Sequence, residues 1–98
     1  MVSVGLLVRL EAKPGREAEV EALLFGGRDL VQEEPDTRTW YAFRMGASMF
    51  GIFDTFEDES GRGAHLNGKV AEALTARADD LFTHPPLIEH VDIIASKE

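Results

Sequence analysis

The sequence contains no cysteine, and no apolar run in it approaches the roughly twenty residues that cross a bilayer. The absence of cysteine excludes disulfides, thiolate metal sites and cysteine nucleophiles together. No basic and then apolar leader opens the sequence either. We therefore expect a soluble, cytoplasmic protein that does not contact a membrane.

Positive charge is scarce, since ten Lys and Arg residues stand against 18 Asp and Glu and give a formal net charge of -8. Such a surface repels a phosphate backbone on average, so we expect no nucleic acid among the partners. The 98 residues suffice for one domain, residues 1–98. A content of 44% hydrophobic and 29% charged residues is typical of a globular fold.

The spacing of apolar residues predicts six elements in the order β-α-β-β-α-β. The first strand covers Val4–Glu11, and the helix that follows Pro14 stops before Glu34. A hairpin of strands over Thr39–Met45 and Met49–Phe56 comes next. The second helix runs from Asp58 or Glu59 to Ala78, with a separate turn at Leu81 and Phe82, and the last strand from Leu87 or Ile88 to Ala95. This order is the α+β, ferredoxin-like plan, in which one antiparallel four-stranded sheet carries helices on a single face.

The sheet face that the helices leave uncovered is predicted to be apolar. Leu7, Phe53 or Phe56, and Ile93 or Ile94 lie on it, depending on which alternation holds. An apolar patch of this kind on a small protein implies a partner. The simplest partner is a second copy laid face to face across a two-fold axis, and we therefore expect a homodimer through the sheet faces.

Two titratable side chains, Asp54 and His65, stand where the third strand runs into the following helix. With an unperturbed pKa of about 6.5, a histidine can act as an acid or a base near pH 7. An aspartate between phenylalanines is costly to bury unpaired, so Asp54 is expected to contact Arg44, Arg62 or His65. Asp54 and His65 are therefore either a catalytic pair or a structural clasp that fastens the helix to the sheet.

Three residues of the second strand are candidates for binding a substrate. Trp40 and Tyr41 are consecutive, so they point to opposite faces, and either is core material or a hydrogen-bond donor to a ligand oxygen. Arg44 shares the face of Trp40 and either holds a phenolate or carboxylate or crosses the dimer seam to an acid. His84 and His90 lack metal-ligand spacing, so no metal site is expected.

Three segments of the chain resemble the antibiotic biosynthesis monooxygenase (ABM) family of the dimeric α/β-barrel superfamily. They are EAKPGREAEVEALL at Glu11–Leu24, EPDT at Glu34–Thr37, and FGIFDTFEDESGRGAHLNG at Phe50–Gly68. Together they follow the family's order and spacing over nearly the whole chain. The chain departs from the family pattern at three places: Asp54 replaces the usual glutamate, Phe56 replaces a frequent tryptophan, and Asn67–Lys69 replaces a later histidine.

The resemblance implies an oxygenase that needs no metal, flavin or haem. Its substrate would be a small aromatic, quinol or polyketide-like compound that is oxidised by molecular oxygen after the protein removes a proton in a dry pocket. In that hypothesis His65 is the base or proton shuttle, Asp54 orients it, and Trp40, Tyr41 or Arg44 contacts the substrate oxygen.

Two other functions remain open on the same scaffold: a non-catalytic dimer that binds a small hydrophobic ligand, and an isomerase that uses the same acid and base without oxygen. Haem degradation, a further activity of the superfamily, is disfavoured. That branch carries an asparagine on the first strand, near Val8, and a tryptophan at the end of the third strand, where this chain has Phe53 and Phe56.

Overall fold

Alternating apolar residues build a sheet that has one face under helices. The computed structural model describes all 98 residues. Its elements are β1 Val4–Glu11, α1 Glu17–Val31, β2 Thr37–Arg44, β3 Met49–Phe56, α2 Glu59–Leu66, α3 Lys69–Leu81 and β4 Leu87–Asp92. All strand pairs are antiparallel, and the strand order is β2-β3-β1-β4. The predicted ferredoxin-like α+β fold is confirmed.

The core lies between the sheet and the helices because β1 and β3 are in a register that stacks their apolar positions. Val8 is opposite Ile52, and Leu10 is opposite Phe50, all on the covered face. The core cluster comprises Val8, Leu10, Ala12, Val20, Leu24, Phe50, Ile52, Leu81 and Phe82. The same register places Asp54 opposite Leu6, so a carboxylate enters this layer among apolar neighbours.

The second helix was predicted as one element from residue 58 or 59 to 78, and this is wrong. It is two helices, because the chain leaves α2 at Asn67 and enters α3 after Gly68. The Asn67 amide donates to the carbonyl of Gly63 at 3.0 Å, and a Cβ at Gly68 would lie 3.0 Å from the Glu34 carboxylate. The break lets α2 present His65 to the sheet while α3 packs separately along α1 and runs to Leu81, with no separate turn there.

The uncovered face carries Leu7 and Phe53, which are opposite each other on β1 and β3. Phe56 lies on the helix side and is fully buried. Strand β4 ends at Asp92, so the predicted extension to Ala95 is wrong and Ile94 is almost completely exposed. None of the helices is long and apolar enough to span a bilayer.

Gly5 on β1 is a tightly constrained position, and Gly5→Ala is expected to destabilise the fold. A Cβ there would lie 2.7 Å from the backbone oxygen of Asp54 and 3.2 Å from the Val91 side chain. Because backbone cannot move aside cheaply, the free energy of unfolding should fall by about 1–3 kcal/mol. Gly26→Ala, in α1 with open space around it, should instead raise it by roughly 0.5–1 kcal/mol. Urea unfolding of both variants measures this, and equal shifts would contradict the assigned packing.

Candidate functional site

His65 lies between two carboxylates that come from different parts of the chain. Its Nε2 is 3.0 Å from Asp54 Oδ2 on β3, and its Nδ1 is 2.5 Å from Glu34 Oε1 in the turn between α1 and β2. The Phe56 ring packs against the imidazole at a centroid distance of 5.5 Å. The side chains of Asp54, His65 and Glu34 are 1%, 7% and 19% exposed, so the group sits inside the protein.

Burial and hydrogen bonding determine how these groups hold protons. Burial raises the pKa of Asp54, and the contact with His65 offsets only part of this change. Burial by itself lowers the pKa of His65, but its bonds to Asp54 and Glu34 outweigh this and bring the pKa above the ordinary 6.5. Both ring nitrogens of the imidazole are thus occupied by carboxylates, which favour its protonated form.

Asp54 and Trp40 are neighbours with unused hydrogen-bonding capacity. They are directly opposite each other on β3 and β2. The Oδ2 atom of Asp54 is 3.0 Å from His65 Nε2, whereas its Oδ1 has no side-chain partner and the buried Trp40 Nε1 has no acceptor. Most buried polar atoms in proteins are paired, so these atoms mark a place where the polar atoms of a ligand would gain hydrogen bonds.

An apolar cavity of about 430 Å³ opens beside this pair, between the edge strand β2 and helix α1. It is lined by Glu21, Leu24, Phe25, Arg28, Trp40, Tyr41, Ala42, Phe43, Arg44 and Phe50. All three residues predicted to bind substrate, Trp40, Tyr41 and Arg44, thus line one cavity. Its volume falls in the range of roughly 300–1,000 Å³ that is common for small-molecule sites.

Trp40 and Tyr41 reach this cavity from opposite faces of β2. The Trp40 indole lies under α1, where a methyl group at Gly27 would be only 3.3 Å from it, so the glycine permits this close approach. Tyr41 is paired with Phe53 on the uncovered face and is 60% exposed. Trp40 therefore forms the inner wall of the cavity and connects it to Asp54.

His65 and Asp54 do not line that cavity. His65 and Glu34 instead border a second, more polar cavity of about 310 Å³ at the junction of α2 and α3, lined by Leu30, Glu33, Glu34, Pro35, Asp36, Thr37, Gly61, Ala64, His65, Gly68 and Lys69. The predicted residues consequently form two groups. Trp40 is the only link between them, through its place opposite Asp54.

Comparison with known proteins shows which solved structures the chain is similar to. No protein-family model matches it, and no curated protein does. The NE2512 protein of Nitrosomonas europaea, whose function is unknown, is 48% identical, has a TM-score of 0.97, and is matched over 100% of this chain and 95% of its own. The chain belongs to the NE2512 family.

More distant structures identify the fold of this NE2512-family protein. A "putative antibiotic biosynthesis monooxygenase" from Caulobacter crescentus is 18% identical with a TM-score of 0.83 over 96% of this chain and 92% of its own. A second "putative antibiotic biosynthesis monooxygenase", from Nitrosomonas europaea, is 10% identical with a TM-score of 0.83. The match covers 94% of this chain and 99% of that protein. The NE2512-family protein has the ABM fold that the sequence resemblance implied.

Glu34 is the member of the site that sequence reasoning missed. It was interpreted only as the end of α1 and as part of the EPDT turn. In the NE2512-family protein its Oε1 accepts hydrogen bonds from Thr37 Oγ1 at 2.8 Å and contacts His65 Nδ1. A signal did exist, because a buried imidazole needs partners for both ring nitrogens and Asp54 can serve only one.

Neither arginine proposed as a partner for Asp54 contacts it. Arg62 donates from Nη1 to the carbonyls of Gly5 and Val91, both at 3.2 Å, and pairs with Glu59. Arg44 lies over the Phe50 ring at 5.0 Å. His65 is therefore the partner of Asp54 in this NE2512-family protein.

Proposed function

We propose that this protein is a cofactor-independent monooxygenase that oxidises a small phenol or quinol with molecular oxygen. One observation carries the proposal: the buried indole N–H of Trp40 has no acceptor, lies in the wall of an aromatic cavity, and belongs to the residue directly opposite the buried carboxylate of Asp54. The ABM fold supports it, since proteins named for this activity share the architecture. We also propose that the protein works as a homodimer through the uncovered sheet face around Leu7 and Phe53.

Asp54 is the proton acceptor in this proposal. Its buried position raises its pKa, which makes it a stronger base than an ordinary aspartate. Asp54 is directly opposite Trp40 on the neighbouring strand, and the substrate proton passes to it at the inner end of the cavity. His65, which is held between Asp54 and Glu34, orients the carboxylate. The two residues thus exchange the roles that the sequence suggested.

Removing the proton prepares the substrate to react with oxygen. Trp40 Nε1 donates a hydrogen bond to the oxyanion that forms, and the apolar cavity keeps water away from it. The electron-rich anion then transfers an electron to O₂, and the two radicals combine at carbon. A ring C–H group of the phenol becomes C=O, and the second oxygen atom leaves as water with that hydrogen and the phenolic proton, so one O₂ is consumed for each substrate.

Oxygen uptake by protein stripped of metal and flavin, over a panel of hydroquinones and anthrones with and without a carboxylate group, tests the proposal. Trp40→Phe keeps an aromatic ring but removes the donor, and it should lower kcat by roughly 10²-fold with little change in KM, because removing one oxyanion donor costs about this much. Thermal unfolding of the variant controls for folding. Uptake by no member of the panel, or full kcat in Trp40→Phe, would contradict the proposal.

Binding without turnover is the second candidate, and the carboxylates around His65 favour it. With Nδ1 on Glu34 and Nε2 on Asp54, the imidazole joins α2, β3 and the turn before β2, as a structural clasp would. In that case ligands would raise the melting temperature while oxygen uptake stayed at the background rate. An isomerase would convert its substrate equally well without oxygen.

A further inference from the structure

The apolar cavity beside β2 has a charge opposite to that of the protein. The chain has six Phe, one Trp and one Tyr, and five of these line the cavity: Phe25, Trp40, Tyr41, Phe43 and Phe50. Three charged residues line the cavity: two cations, Arg28 and Arg44, and one anion, Glu21. The lining is therefore net positive by one charge, whereas the whole chain carries -8.

Arg44 is held in a fixed position and keeps one end free. Its Nε donates to the carbonyl of Gly46 at 2.9 Å and its Nη2 to that of Ala47 at 2.6 Å, which anchors the guanidinium to the turn between β2 and β3. Its Nη1 has only Glu21 nearby, at 3.8 Å, which is too long for a hydrogen bond. A preorganised donor group of this kind loses little entropy when it binds an anion.

Arg28 faces the cavity from α1 and is also free to bind. Its nearest acid is Asp29, with 3.8 Å from Nε to Oδ1, and its guanidinium lies 5.5 Å from the centre of the Phe25 ring. No hydrogen bond within the protein engages its N–H groups. Guanidinium forks match carboxylates in shape, and two of them at the rim of an aromatic cavity select for a ligand that combines aromatic rings with an acidic group.

We propose that the cavity binds an aromatic carboxylate, with its rings among the five aromatic side chains and its carboxylate held by Arg28 and Arg44. This rests on the proposed function, since it names the substrate class of the same site. The carboxylate does not react. It fixes the rings so that the oxidised position faces Trp40. The two arginines also select against neutral and cationic aromatic ligands, because such ligands would remove water from the guanidinium groups without replacing its interactions.

Calorimetric titration with 2-naphthoate and its neutral counterpart 2-naphthamide tests this directly, because the two differ only in charge at the acidic group. Trp40 is the only tryptophan, so a change in its fluorescence during the titration assigns the binding to this cavity. The acid should bind about tenfold or more tightly than the amide at low salt, and added salt should reduce the ratio.

Variants distinguish the arginines from general charge. Arg28→Gln and Arg44→Gln should each remove most of the preference for the acid, and Glu21→Gln should increase it. Arg77→Gln, which removes an exposed arginine that pairs with Glu19 and Asp80 away from the cavity, should leave it unchanged. Arg28→Gln is the cleaner test, because Arg44 also fixes a turn. Equal affinity for acid and amide, or a preference that survives in Arg28→Gln and Arg44→Gln, would overturn the proposal.

The two proposals fail separately. Tight, arginine-dependent binding of the acid by a protein that consumes no oxygen would support the ligand class and overturn the oxidation. Oxygen uptake with neutral quinols, together with equal binding of acids and amides, would support the oxidation and overturn the ligand class.

Discussion

Asp54→Asn is expected to lower the rate of substrate oxidation by roughly 10²-fold or more, because general-base catalysis typically contributes 10²–10⁴-fold. The amide keeps the size of the carboxylate but cannot take up a proton. Glu34 still pairs with His65 in this variant, so the protein should remain folded with a lowered melting temperature. Initial rates of oxygen uptake measure the loss.

Asp92→Asn is the matched control, because Asp92 is an exposed aspartate on β4 with no ion pair. It should retain the full rate. An Asp54→Asn protein that is folded and fully active would show that another group accepts the proton, and it would remove Asp54 from the mechanism.

His65→Ala is expected to have the largest effect on stability. The substitution leaves the carboxylates of Asp54 and Glu34 buried and facing a void without their shared positive partner. Breaking a buried pair in this way costs about 3–5 kcal/mol. Urea unfolding should show it as a lower midpoint, while His90→Ala, on the exposed edge strand β4, should change the free energy of unfolding by less than about 0.5 kcal/mol.

A double variant separates charge from packing. Adding Asp54→Asn to His65→Ala removes one of the two unpaired carboxylates, so part of the lost stability should return. If the double variant is as unstable as the sum of the two single changes, the charges are not what His65 balances, and the clasp is a packing contact.

The same network gives stability a definite dependence on pH. The pKa of His65 is raised on folding, so its contribution is complete below about pH 6.5 and is lost as the pH rises through the higher folded value. The pKa of Asp54 is also raised, so the folded state holds its proton more tightly, and this contribution likewise falls as the pH increases above about 3.8. Both groups make the protein less stable as pH rises, and His65→Ala should flatten the curve near neutral pH. An unchanged slope would contradict the assigned protonation.

Local patterns in the sequence were sufficient for most of the fold. Strand β3 was predicted at its observed bounds because large apolar residues alternate through it to its end. Strand β2 begins at Thr37 rather than Thr39, because a bulge between these residues interrupts the alternation. Strand β4 ends at Asp92 because its partner β1 begins opposite it at Val4, so later residues have no strand with which to pair. That limit depends on a distant segment, and periodicity within β4 cannot reveal it.

The site was predictable where its parts are close in sequence. Asp54 and His65 are 11 positions apart across one strand-to-helix junction, and their contact follows from it. Glu34 is 31 positions from His65 and reaches it only because α1 returns the chain to the sheet beside α2. The sequence also did not reveal that the aromatic cavity and His65 are separate. Their separation depends on the packing around Trp40, which local sequence patterns do not show.

The central claim is that this protein, without a cofactor, inserts one atom of molecular oxygen into an aromatic substrate. Mass spectrometry of the product formed under ¹⁸O₂, by protein stripped of metal and flavin, tests it most directly. The account predicts one ¹⁸O in each product molecule, with one O₂ consumed per turnover. Product that forms equally well without oxygen, or ligand that binds and is recovered unchanged, would contradict it.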